Sequence, residues 1–123
     1  MPALRLEHVN VTVADPEAAA KLMGDIFGWA VRWDGPSMAG GRSIHVGADD
    51  YYLALYAPPG GARSYPKGQP LNHIGVEVDD LESIETRVVA AGLRPFNHGD
   101  YAPGQRFYFL DPNGIEYEVV SYA

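Results

Sequence analysis

The chain contains no cysteine. That absence removes disulfide staples, thiolate zinc sites and cysteine nucleophiles together, and it points to the cytoplasm as compartment. Long apolar runs are missing too. No segment approaches the length that crosses a bilayer, and Met1 to Arg5 lead into a strand-like run without the basic and apolar stretches of an export signal. The expectation is a chain neither exported nor embedded in a membrane. Positive charge is scarce: nine Lys and Arg stand against sixteen Asp and Glu, a formal net charge of −7, with no basic cluster. Such a surface repels a phosphate backbone, so no nucleic-acid partner is expected.

What is present suffices for one domain over residues 1–123, because a 46% hydrophobic content at this length builds a core without staples. Eight tyrosines and two tryptophans supply rings that either fill that core or line a site for a small molecule.

From Leu4 to Val13, Val9, Val11 and Val13 alternate with His8, Asn10 and Thr12, which predicts a strand carrying His8 on its polar face. Asp15 and Pro16 then open a helix whose apolar stripe, Ala18, Leu22, Ile26 and Phe27, ends at Gly28. Extended runs follow at Trp29 to Trp33, Arg42 to Val46 and Tyr51 to Tyr56. A first module thus spans residues 4–57. Residues 58–70, rich in Pro and Gly, read as a linker that could also serve as a lid. A second module over 71–123 repeats the order: a strand from Asn72 to Val78, a helix capped by Asp79 and Asp80 with a Leu81, Ile84, Val88 and Val89 stripe ending at Gly92, and extended runs at Leu93 to Asn97, Gln105 to Leu110 and Ile115 to Ser121. The last two are joined by the turn Asp111-Pro112-Asn113-Gly114. A β-α-β-β-β order that recurs with His8 and His73 in matching places, 65 residues apart, predicts an α+β fold of two βαβββ modules with mixed, curved sheets.

The strings LEHVNVTVADPEAAAKLMGDIFGW, LNHIGVEVDDLESIETRVVAAGL and RFYFLDPNGIEYEVV resemble the module starts and closing hairpin of the glyoxalase/bleomycin-resistance/dioxygenase superfamily, also called vicinal oxygen chelate. The resemblance implies a homodimer and a divalent metal held by His8, His73 and Glu118, with Glu118 in a catalytic position. Imidazole and carboxylate donors suit Fe, Mn, Ni, Co or Zn, and three ligands leave coordination positions open. The implied function is a metal-dependent lyase, isomerase or ring-cleaving dioxygenase that chelates vicinal oxygens of a small substrate and stabilises an enolate or catecholate. The alternative within the same superfamily is a metal-free small-molecule-binding or antibiotic-binding protein.

Glyoxalase I carries a fourth ligand in the closing strand of its first module. Here the 65-residue offset carried back from Glu118 reaches Leu53, and one residue of slip reaches Ala54. Neither binds metal, which argues against lactoylglutathione lyase. Asn10 shares the face of His8 by parity, and Tyr52, Arg106 and Tyr108 are the further candidates for substrate contacts, with Arg106 suited to a carboxylate or phosphate. Gly75, beside His73, leaves room. Trp29 and Trp33 are expected to be buried, and His45 and His98 to be structural or exposed.

Overall fold

The computed structural model describes residues 5–38, 40–61, 71–101 and 104–123. They divide into two compact units, Met1–Arg63 and Ser64–Ala123. The first unit holds β1 (His8–Thr12), α1 (Pro16–Phe27), β2 (Ala30–Pro36), β3 (Arg42–Gly47) and β4 (Tyr52–Ala57). The second holds β5 (Ile74–Glu77), α2 (Leu81–Ala90), β6 (Phe96–Tyr101), β7 (Gly104–Leu110) and β8 (Glu116–Ser121). Leu4, the expected start of the first strand, and residues 62–70 of the expected linker lie outside the described residues.

Each unit is one four-stranded mixed sheet, ordered β1-β4-β3-β2 and β5-β8-β7-β6. The first and last strands of each set pair in parallel, and the remaining pairs are antiparallel. This is the predicted α+β architecture of two βαβββ modules.

Helix α1 starts where Asp15 accepts hydrogen bonds from the N–H groups of Glu17 and Ala18, and Pro16 occupies the first turn, whose N–H needs no partner. It stops at Gly28, whose φ of 74° suits a residue without a Cβ. Its buried stripe is Ala19, Ala20, Met23 and Ile26, against β3 and β4. Of the four stripe residues expected, Ile26 alone is fully buried. The stripe is rotated because the helix rests its small alanines on the sheet, and alanines carry little signal in hydrophobic spacing. In α2, Asp80 caps Ser83, Ile84 and Val88 pack on β7 and β8, and Val89 faces outward.

The second unit's core is aromatic. Phe107, Phe109 and Tyr117 are almost fully buried, and Phe109 stacks on Tyr117 with ring centroids 5.2 Å apart. Burial pushes the Tyr117 hydroxyl far above the ordinary tyrosine range. Several strand bounds depart from expectation, β1 starting at His8 rather than Leu4 and β5 at Ile74 rather than Asn72. β6 begins at Phe96 rather than Leu93, and a register shift between Phe96 and Gly99 leaves Asn97 with a φ of 54°. β2 runs on to Pro36 and is exposed along most of its length, so Trp33 is 45% exposed instead of buried.

Candidate functional site

β7 and β8 pair so that Tyr108 stands opposite Glu118, and β5 places Gly75 opposite Glu118 from the other side. Strand alternation puts Arg106, Tyr108 and Glu118 on the face opposite the one that buries Phe107, Phe109, Tyr117 and Val119. His73 stands one residue before β5, just outside the strand predicted to contain it.

The four candidates of this unit converge. Glu118 Oε1 lies 3.0 Å from His73 Nε2, and Glu118 Oε2 accepts a hydrogen bond of 2.8 Å from Arg106 Nη1. The Tyr108 ring meets the His73 imidazole edge-on at 5.8 Å. Glu118 and Arg106 side chains are 14% and 13% exposed, and His73 is 34% exposed, so the pair is sheltered while the imidazole reaches solvent. The space above is open: a Cβ built on Gly75 would meet nothing within 4 Å.

His73 Nδ1 donates to Asn72 Oδ1 at 2.8 Å, which aims Nε2 at Glu118. Metal-ligating histidines are oriented in this way, one ring nitrogen held by a neighbouring acceptor and the other presented to the ion. The same device recurs in the first unit, where His8 Nδ1 donates to Glu7 Oε1 at 2.9 Å. The residue before each first-strand histidine is therefore part of the candidate site. Both acceptors are legible in the sequence, where Glu7 and Asn72 directly precede His8 and His73.

The donor set fits a divalent cation. With bonds of about 2.1 Å, two neighbouring ligands at a right angle stand about 3.0 Å apart. That is the spacing of His73 Nε2 and Glu118 Oε1. Within either unit, among the described residues, no three His, Asp or Glu side chains gather into a metal-binding group.

The first unit is built differently at matching places. Tyr52, opposite His8, stacks on its imidazole at 4.8 Å and on His45 at 4.5 Å, and the Arg32 guanidinium lies 4.6 Å from the Tyr52 ring centre. Trp33 adds a tilted contact to His45 at 5.1 Å. Burial, and then the neighbouring His8 and Arg32, hold the His45 imidazole below the ordinary histidine range. His45 is thus built into an aromatic column. Arg32 reaches the same column because the register shift between Val31 and Trp33 leaves it unpaired in the ladder, a bulge that alternation alone does not reveal. Asn10 stands opposite Ala54 and is exposed. His98, by contrast, binds Glu85 at 2.8 Å and stacks on Phe107.

Register also identifies the counterpart of Glu118. Gly75 and Tyr108 flank Glu118 as Asn10 and His45 flank Ala54, so the equivalent residue is Ala54 and not Leu53. The one-residue slip is a net of two changes: Asn10 and Gly75 stand 65 residues apart but His45 and Tyr108 only 63, and the β7–β8 turn, closed from Asp111 N to Ile115 O around three residues where the β3–β4 turn closes from Ala48 N to Tyr51 O around two, restores one.

The chain belongs to the Glyoxalase/Bleomycin resistance protein/Dioxygenase superfamily, whose model matches residues 5–119. Among curated proteins none matches it. Solved structures do. A glyoxylase/bleomycin resistance protein/dioxygenase domain from Frankia sp. EAN1pec is similar at 21% identity and a TM-score of 0.85, covering 98% of this chain and 93% of that one. TnmS3, an antibiotic binding protein from Streptomyces sp. CB03234, is similar at 20% identity and a TM-score of 0.78, covering 100% and 99%. The fosfomycin resistance protein FosX of Listeria monocytogenes, in complex with Mn(II) and sulfate, is similar at 14% identity and a TM-score of 0.77, covering 98% and 93%. These likenesses establish the fold. No described helix is long and apolar enough to cross a membrane.

Proposed function

We propose that this chain is a divalent-metal-dependent enzyme acting on a small oxygen-chelating organic substrate, by lyase, isomerase or ring-cleaving dioxygenase chemistry. One observation carries the reading: His73 Nε2 and Glu118 Oε1 face each other at the spacing of neighbouring metal ligands, with open space above Gly75 beside them. Glu118 supplies the anionic ligand, His73 a neutral one, and His8 the third, each histidine held through Nδ1. Fe(II), Mn(II), Ni(II), Co(II) or Zn(II) would be held where Nε2 and Oε1 face each other. When bound, the cation supplies Lewis-acid stabilisation to charge that develops on substrate oxygens. The proposed substrate contacts are Tyr108, edge-on to the His73 imidazole, and the sheltered Arg106 in the second unit, and Asn10 and Tyr52 in the first. A homodimer and a cytoplasmic location belong to the same proposal.

A second reading has its own observation. The column of His8, Tyr52, His45 and Trp33 offers planar rings to an aromatic ligand, and TnmS3 shows that a protein of this fold binds an antibiotic. In that reading no metal is involved. Metal analysis of the protein purified without chelator separates the two: near one equivalent per chain supports the enzyme, and a trace supports the binding protein. The enzyme reading also expects no turnover of the glutathione hemithioacetal of methylglyoxal, because Ala54 supplies neither ligand nor base.

A further inference from the structure

Glu118 is held at both of its oxygens. Oε2 accepts from Arg106 Nη1 at 2.8 Å, and Oε1 is turned toward His73 Nε2 at 3.0 Å. Arg106 sits on β7 opposite Val120, diagonal to Glu118 across the antiparallel pair, and both side chains are sheltered from water. In such a place a charge-assisted hydrogen bond keeps its geometry, because competing water is scarce and the Arg fork is rigid.

We propose that Arg106 is a positioning residue that restricts Glu118 to one-oxygen ligation and thereby sets which cations the site prefers. This rests on the metal-site reading above. With Oε2 engaged by the guanidinium, Oε1 alone is presented beside Nε2. Small cations that prefer regular geometry and imidazole, such as Ni(II), gain from a carboxylate fixed in that way. Larger oxygen-preferring cations, such as Mn(II), tolerate two-oxygen carboxylate ligation and lose the second oxygen to the arginine. The guanidinium acts on selectivity through Glu118, which differs from a direct grip on substrate.

The first unit supplies the contrast. The position matching Arg106 is Ser43, and the position matching Glu118 is Ala54, so carboxylate and arginine are present together or absent together at these register positions.

The experiment is isothermal titration of the full chain with NiCl2 and with MnCl2, for wild type, Arg106→Met and Arg106→Lys. Met removes the donor and the charge while keeping an unbranched apolar stem, and Lys restores one donor group and the charge. Thermal melts of the metal-free proteins confirm that each variant folds. We expect Arg106→Met to weaken Ni(II) by about tenfold or more while Mn(II) changes much less, so that the Ni:Mn preference falls by about tenfold, and Arg106→Lys to recover part of it. The visible spectrum of the Co(II)-loaded Met variant should weaken as the coordination number rises. Wild type that binds both metals, with a Ni:Mn ratio unchanged in Arg106→Met, overturns the role of Arg106 and leaves the metal site standing. Wild type that binds neither metal overturns the metal site and the role of Arg106 with it. Should Arg106→Met fail to fold, Arg106→Lys decides on its own: an intermediate fall of the Ni:Mn ratio supports the role, and an unchanged ratio, whether or not both affinities fall, overturns it.

Discussion

Where β8 carries Glu118, β4 carries Ala54; where β7 carries Arg106 and Tyr108, β3 carries Ser43 and His45. Both sheets have the same strand order and the same pairing directions. One frame therefore supports two chemistries, a hydrogen-bonded trio of His73, Glu118 and Arg106 in the second unit and an aromatic column of His8, Tyr52, His45 and Trp33 in the first. Register shows how small the change is. Arg42 in β3 binds Asp34 through both oxygens and also Glu17 of α1, while Arg106, one residue beyond Gln105, which is the counterpart of Arg42, lies on the opposite sheet face with Glu118. An arginine moved by one residue ties a helix down in one unit and clamps a candidate ligand in the other.

Making the first unit imitate the second is expected to be the most costly change. Ala54→Glu places a carboxylate at a 3% exposed position where Ser43 stands in the place of Arg106, and should lower stability by about 3 kcal/mol or more in urea denaturation. Adding Ser43→Arg should recover part of that loss. Unchanged stability in the single variant would mean that the face around Ala54 accepts charge as readily as the face around Glu118, and the contrast would fail.

A middle-sized effect tests the two hairpins. A Cβ on Gly47 would meet the Tyr51 carbonyl oxygen at 2.4 Å and Tyr52 Cα at 2.5 Å, both backbone. Gly47→Ala should therefore cost about 2 kcal/mol, while Leu110→Ala at the matching place, 45% exposed, should stay within about 0.5 kcal/mol. Equal melting shifts in the two variants would show that the turns are interchangeable.

The smallest effect concerns Asp111, which has Ala48 as its counterpart. Its carboxylate accepts the N–H groups of Asn113 and Ile115, yet burial raises its pKa above the ordinary 3.8, the burial outweighing those hydrogen bonds. The native state then takes up this proton at a higher pH than the unfolded chain. Wild type should gain stability relative to Asp111→Asn as pH falls through that raised value, with the gain complete below about 3.8. At neutral pH the two should agree within about 1 kcal/mol. A stability difference that does not move between pH 7 and pH 3.5 would remove the burial effect.

Much of this frame was legible in the sequence because its signals are local. Asp15-Pro16 and Gly28 bound α1 as their chemistry dictates, and the valine alternation around His8 gives β1. The pairing of His73 with Glu118 followed from repeat position and resemblance. What escaped reading depends on contacts distant in the chain. The bulges in β2 and β6 carry no composition signal, and the end of β2, the start of β6 and the exposure of Trp33 differ from the reading of the sequence. The extra residue of the Asp111 to Ile115 turn is visible in the sequence, but its effect on register appears only once both sheets are paired. Arg106 read as a cation for substrate, and its bond to Glu118 required knowing which residues of β7 stand beside β8.

The most direct test of the central claim is metal content, together with thermal shift on adding Ni(II) or Mn(II), for wild type, His8→Ala, His73→Ala, Glu118→Gln and His98→Ala. A cation that binds the folded state raises its melting temperature by mass action. We predict near one equivalent and a clear upward shift for wild type and for His98→Ala, whose histidine is engaged with Glu85, and loss of both in the other three. The same metal content and the same thermal response in all five proteins would contradict a site made by His8, His73 and Glu118.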